Sequence, residues 1–143
     1  MKPLPTYFAH PHAPNLALLA DVSPVVAVHL GFALAAFVIG LIQVLGPKGT
    51  LPHRILGWTW VAMMMTVAVS SFFIHGINPH GFSLIHVLSL LTVCSLPLGV
   101  HAARRHQVAR HGRIMSGMFV GGLVVAGVFT FFPGRLIWQM FFG

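Results

Sequence analysis

Ten histidines stand against one acidic residue, Asp21, in a chain of 143 residues. Most of them fall inside or at the ends of apolar runs, where an imidazole is costly to bury unless it meets a partner or a ligand. Imidazole ligates metals and haem iron and carries protons near neutral pH, so ligation, electron transfer and proton relay are the chemistries within reach. Hydrolysis and group transfer are not. A single carboxylate side chain allows no paired-acid site, no carboxylate-rich metal cage and no Ser-His-Asp triad inside a bilayer, and there is no GxxxxGK[ST] loop. Proton-coupled transport is disfavoured for the same reason, because internal carboxylates are the usual proton carriers.

The elements that must position these imidazoles follow from composition. With 57% apolar residues, 6% charged residues and a mean hydropathy of +0.89, the chain reads as a polytopic membrane protein. At roughly 20 residues per crossing, it holds about four spans in a single domain, 1–143. The expected fold is an all-α membrane protein, a four-helix transmembrane bundle. Its spans lie at about 25–46, 55–75, 82–102 and 114–132. Ser23 is placed to cap the first, with Pro24 at its first helical position. Gly46-Pro47-Lys48-Gly49, Asn78-Pro79-His80-Gly81 and the basic connector RRHQVARHGR, residues 104–113, separate the spans.

Loop charges orient this frame. Lys48, Arg54, Arg104, Arg105, Arg110 and Arg113 share one side, and Lys2 and Arg135 the other. The excess assigns the first side to the cytoplasm and both termini to the outside, the periplasm if the membrane is a Gram-negative inner membrane. The N-terminal segment 1–24 shows no cleavable signal, and it and the tail 133–143 are expected at the interface, Trp138 serving as an aromatic anchor. The net charge of +7 sits in short loops, where it sets topology and does not indicate nucleic-acid binding. Cys94 is the lone cysteine, so there is no intrachain disulfide and no CxxC motif.

On this map the histidines form two layers. His29, His75 and His86 lie towards the outer face; His53, His101, His111 and the connector's His106 lie towards the inner face; His10, His12 and His80 are solvent-facing. His86 and His101 are fifteen positions apart on one helix, which brings them back to within about 60° of one face and separates them by about 22 Å. That spacing suits two stacked haems, each needing two axial imidazoles from facing helices. His29 with His86 would hold the outer haem b, and His53 with His111 the inner one, His101 being the competing inner ligand. Arg54 and Arg113 flank the inner pair and could neutralise haem propionates or meet anionic lipid headgroups. His29 and His86 could instead bond to each other or to a backbone carbonyl. Electrons would be exchanged with quinone, superoxide or a partner protein.

Two other functions fit the same residues. Met63-Met64-Met65, Met115 and Met118 add thioethers that favour Cu(I), although methionines more often fill gaps between helices. Gly31, Ala33, Ala36, Gly40, Gly117 and Gly121 permit close helix approach, which suits cofactor contact or the docking of a homo-oligomer or larger complex by a non-enzymatic accessory subunit. Pro97 is expected to bend the third span.

The segments His53-Arg54-Ile55-Leu56-Gly57-Trp58 and His111-Gly112-Arg113-Ile114-Met115 resemble a group of bacterial membrane proteins classed as a domain of unknown function. Its members show His-Arg-x-x-Gly opening one span and His-x-x-Trp-Met opening a later one. The resemblance covers about residues 29–125 and implies a polytopic helical fold. Ile114 stands where tryptophan is usual and Gly117 where arginine is usual. The layout of helices and histidines also resembles small di-haem four-helix cytochromes b.

Overall fold

The computed structural model describes residues 13–74, 84–133 and 135–142, and the described residues form helices and turns without strands. The chain forms α1 (Pro24–Leu45), α2 (Leu51–Ser71), α3 (Leu84–Arg104), α4 (Val108–Phe129) and a short α5 (Leu136–Phe142). A 3-10 turn, Leu16–Leu19, precedes α1.

Helix α1 starts where the Ser23 hydroxyl accepts from the Val26 N–H, with Pro24 in the first turn. At its other end the Lys48 ammonium donates to the carbonyls of Gln43, Val44 and Gly46 at 2.8, 2.6 and 2.8 Å. These carbonyls end the helix and carry its negative dipole, so a cation there satisfies both needs. Gly49 takes a positive φ of 78° to turn the chain, and Thr50 caps α2 by accepting from the His53 N–H. The short link makes α1 and α2 packed neighbours.

The second basic connector is shorter than the sequence suggests. Helix α4 begins at Val108, so Arg110, His111 and Arg113 ride on its first turns and only residues 105–107 are left to join it to α3. His106 makes the turn with φ 56°, and the His111 N–H bonds to the Gln107 carbonyl at 2.9 Å. Nothing in Val108-Ala109-Arg110 breaks a helix, so polarity alone does not mark its end. Helix α2 likewise starts at Leu51 and stops at Ser71. His10, His12, His75 and His80 lie outside the described residues.

Helices α1 and α2, α2 and α3, and α3 and α4 pack as pairs, and a π-helical stretch of α4, Phe119–Val125, returns to α1. Ala36 of α1, Trp60 and Met64 of α2, Leu96 of α3, and Met118, Phe119 and Leu123 of α4 form the core. The small residues of α1 let Trp60 in: its Nε1–H donates to the Ala36 carbonyl at 2.9 Å, and Phe119 stacks on Phe37 with centroids 5.6 Å apart. Met64 is buried, and Met63 and Met65 pack against the same core.

Outside this core the helices present apolar side chains, among them Leu34, Val38, Ile42, Leu90, Leu98 and Val128. That is the surface a lipid-embedded protein needs. Pro24–Leu45, His86–Arg104 and Val108–Phe129 are long and apolar enough to cross a membrane. Helix α2 has 21 residues but carries Arg54, Thr59, Thr66, Ser70 and Ser71 and is not among these three. Near the termini, the Asn15 N–H bonds to the Met140 carbonyl at 3.0 Å and Trp138 stacks on Phe142, so the turn before α1 docks on α5.

Candidate functional site

At the end marked by Lys48, Arg54 and Arg104, the helices enclose a cavity of about 820 Å³. His53 from the first turn of α2 and His111 from the first turn of α4 both line it. These helices are opposite one another in the packing order, with α1 and α3 between them.

Each ring is set by a neighbouring helix. His111 Nδ1 lies 2.9 Å from the Gly99 carbonyl of α3. A carbonyl only accepts, so Nδ1 carries the proton and a neutral ring keeps its lone pair on Nε2. The backbone carbonyl of His53 accepts from the Gln43 amide of α1 at 2.8 Å. His53 Nδ1 is buried with no hydrogen-bond partner among the described residues. Burial, then the charges of His111 and Lys48, hold this imidazole below the ordinary histidine pKa. It is therefore mainly neutral at neutral pH, the form that ligates a metal.

Two glycines explain why these bonds fit. A Cβ on Gly57 would lie 3.1 Å from the Gln43 amide nitrogen, so the glycine one turn after His53 leaves room for that amide. A Cβ on Gly99 would lie 2.5 Å from the Met115 methyl, so Met115 closes over the residue whose carbonyl holds His111. The His-Arg-x-x-Gly segment thus fastens α2 to α1, and His111 with Met115, one turn apart, fastens α4 to α3.

The remaining expected residues divide. Arg54 lines the cavity beside His53. His101 instead lines a groove of about 390 Å³ between α2 and α3, which shares Trp58, Val61, Val100 and Arg104 with the cavity, and Arg113 is exposed outside both. At the far end, His29 Nδ1 lies 2.9 Å from the Ser70 hydroxyl, whose own proton goes to the Val67 carbonyl at 3.0 Å. His29 is therefore the donor of that pair, and its Nε2 is left as the lone-pair nitrogen. The His86 ring sits 6.0 Å from that of Phe72. His29, Ser70 and His86 occupy the opposite ends of α1, α2 and α3 from Gln43, His53 and His101, so the described histidines of these helices lie in two layers. Among the described residues no three His, Cys, Asp or Glu side chains converge as a metal set.

Sequence reasoning does not propose Gln43 as a site residue, and it uses Lys48 and Arg104 only for topology and Trp58 only within the family segment, yet all four line the cavity. Gln43 has a readable signal: it is the one amide in α1, and an amide in an apolar helix needs a partner.

Residues 26–141 match a family described as a predicted membrane protein, DUF2306. The chain belongs to this family. Membership agrees with the expected resemblance and with the lipid-facing apolar surface, and it makes the protein an integral membrane protein of a family whose function is unknown. No curated protein and no solved structure matches the chain.

Proposed function

We propose that this is an integral membrane, b-type cytochrome-like electron-transfer protein with haem b in the basic-end cavity, ligated by His53 and His111. One observation carries the reading: two imidazoles from non-adjacent helices line one cavity, one with its Nδ1 on a backbone carbonyl and the other with a buried Nδ1 that nothing in the described protein satisfies. A backbone carbonyl on the distal ring nitrogen is the usual support for a metal-ligating histidine. Haem would supply a reversible one-electron couple. The protein's part is to hold and shield it. Gly99 orients His111, Gln43 anchors the turn bearing His53, Arg54 offers a guanidinium to a propionate, and Val61, Val100 and Phe119 line an apolar wall.

The same proposal takes α2 as a fourth span, from about residue 55, in a single-domain bundle of the bacterial inner membrane. It places the basic end in the cytoplasm and both termini outside, on the distribution of loop lysines and arginines. His29 and His86 are the proposed ligands of a second haem, for which the Ser70 bond leaves His29 Nε2 available. The redox partner would be a lipid-soluble quinone or another protein.

The test is the oxidised and dithionite-reduced spectra of the purified full chain, with a pyridine haemochrome assay. A Soret band and a sharp reduced α-band are expected, one haem per chain for the basic-end site alone and two if His29 and His86 also ligate. Protein that stays colourless after expression with haem precursor would overturn the reading. Met115 lines the same cavity, so colourless protein that retains copper would select a Cu(I) site of His53, His111 and Met115. Neither cofactor would leave an accessory subunit.

A further inference from the structure

The groove between α2 and α3 is graded along its length. Trp58 and Met65 of α2 and Leu96, Pro97, His101 and Arg104 of α3 form its walls. His101 and Arg104 stand three residues apart at the basic end, where i and i+3 side chains share a helix face. Leu96 lies eight residues back from Arg104, about 12 Å towards the middle of the span at 1.5 Å per residue. Met65 lies seven residues beyond Trp58, about 10 Å in the same direction. One end is therefore cationic and the rest apolar.

Among the described residues the charge at that end has no carboxylate counter-ion. The Arg104 guanidinium carbon sits 5.6 Å from the centroid of the Trp58 ring, so its contact is with a π-face. Asp21, the only acidic side chain in the chain, precedes α1 at the opposite end of the helices. A guanidinium on an aromatic face still has N–H donors to offer an anion. Trp58 is 55% exposed, and the other large exposed side chains of these helices are apolar, so a molecule carried in the bilayer can reach the groove.

We propose that the α2–α3 groove binds an anionic phospholipid of the leaflet at the basic end, its phosphate on Arg104 and His101 and a chain along Pro97 and Met65, over the buried Leu96. Basic pockets between membrane helices hold anionic headgroups in this manner. A zwitterionic headgroup brings an ammonium for which the groove has no acidic partner, so net-anionic lipid is preferred. The site uses neither His53 nor His111, although Trp58, Val61, Val100 and Arg104 line the haem cavity as well, so haem content is read beside lipid retention in each variant.

Native mass spectrometry of the purified full chain tests this, with phosphatidylglycerol, phosphatidylcholine and inorganic phosphate as probes. One phosphatidylglycerol per chain should be retained, phosphatidylcholine about tenfold less, and inorganic phosphate should not displace the lipid. Arg104→Gln should lower phosphatidylglycerol retention about tenfold, the size of one lost charged hydrogen bond. Arg104→Lys should restore part of it. Arg113→Gln, which removes the same charge outside the groove, should leave retention unchanged; circular dichroism melts confirm that each variant is folded. Equal retention of the two lipids, or equal loss in Arg104→Gln and Arg113→Gln, would show general charge attraction and overturn the site. Displacement by inorganic phosphate alone would overturn the lipid as ligand and leave a free-anion site.

Discussion

At the end of the helices near His29, polar side chains answer one another across helix boundaries: His29 donates to Ser70, Ser70 to the Val67 carbonyl, and the hydroxyls of buried Ser71 and Ser89 meet between α2 and α3. At the basic end the same types of group surround a cavity, His53 Nδ1 has no partner among the described residues, and guanidinium groups collect without carboxylates. In a low-dielectric interior a polar group needs a partner. Where the protein supplies one, the group works as glue between helices. Where it does not, the proposed cofactor is what would occupy the space, and that is why the first haem is proposed at the basic end.

The contrast is broken most directly by exchanging effects between the ends. His53→Ala or His111→Ala should lower haem content of the basic-end site about 100-fold, since even supporting residues around a metal change affinity by about 10–100-fold. Ser70→Ala at the other end should leave that site filled, as read by haemochrome on the purified variants. Equal loss from both ends would erase the distinction.

Gly40 forms part of the cavity floor between the two regions. A Cβ there would lie 2.5 Å from the Phe119 ring and 2.8 Å from Trp60 Nε1. Both rings are held, by Phe37 and by the Ala36 carbonyl. Gly40→Val should therefore destabilise the fold by about 2–3 kcal/mol through overpacking, seen as a lower melting temperature in detergent. Ser71→Ala should cost about 1 kcal/mol for the lost hydroxyl contact, with cofactor content unchanged. A Cβ on Gly31 would meet no described atom within 4 Å, so Gly31→Ala should raise stability by up to about 1 kcal/mol through helix propensity. A melting temperature that falls in Gly31→Ala would show that a further surface packs on α1.

The glycines show where sequence reading stops. Gly31 and Gly40 sit on one helix and carry the same signal of small residues permitting close approach. Only Gly40 is pressed by neighbours, because Trp60 and Phe119 arrive from α2 and α4, and nothing in α1 announces them. The methionines behave in the same way: three consecutive thioethers suggest soft ligands, yet Met63, Met64 and Met65 all pack on the core. The basic run before α4 has the polarity of a loop, although a helix tolerates arginine and histidine freely. By contrast the Ser23 cap, the Pro24 start and the division of histidines between two ends are all readable, since each depends on neighbours in sequence.

Composition and periodicity by themselves determined that the chain is helical and lipid-embedded, and at which end of its helix each histidine of the described helices lies. Depth follows directly from residue number at a fixed rise of 1.5 Å per residue. Direction does not, because the way a helix turns about its axis is chosen by the side chains it packs against. Tertiary structure alone therefore decided that His53 and His111 line the cavity while His101, at similar depth, lines only the adjoining groove, and that Gln43 and Gly99 set the first two.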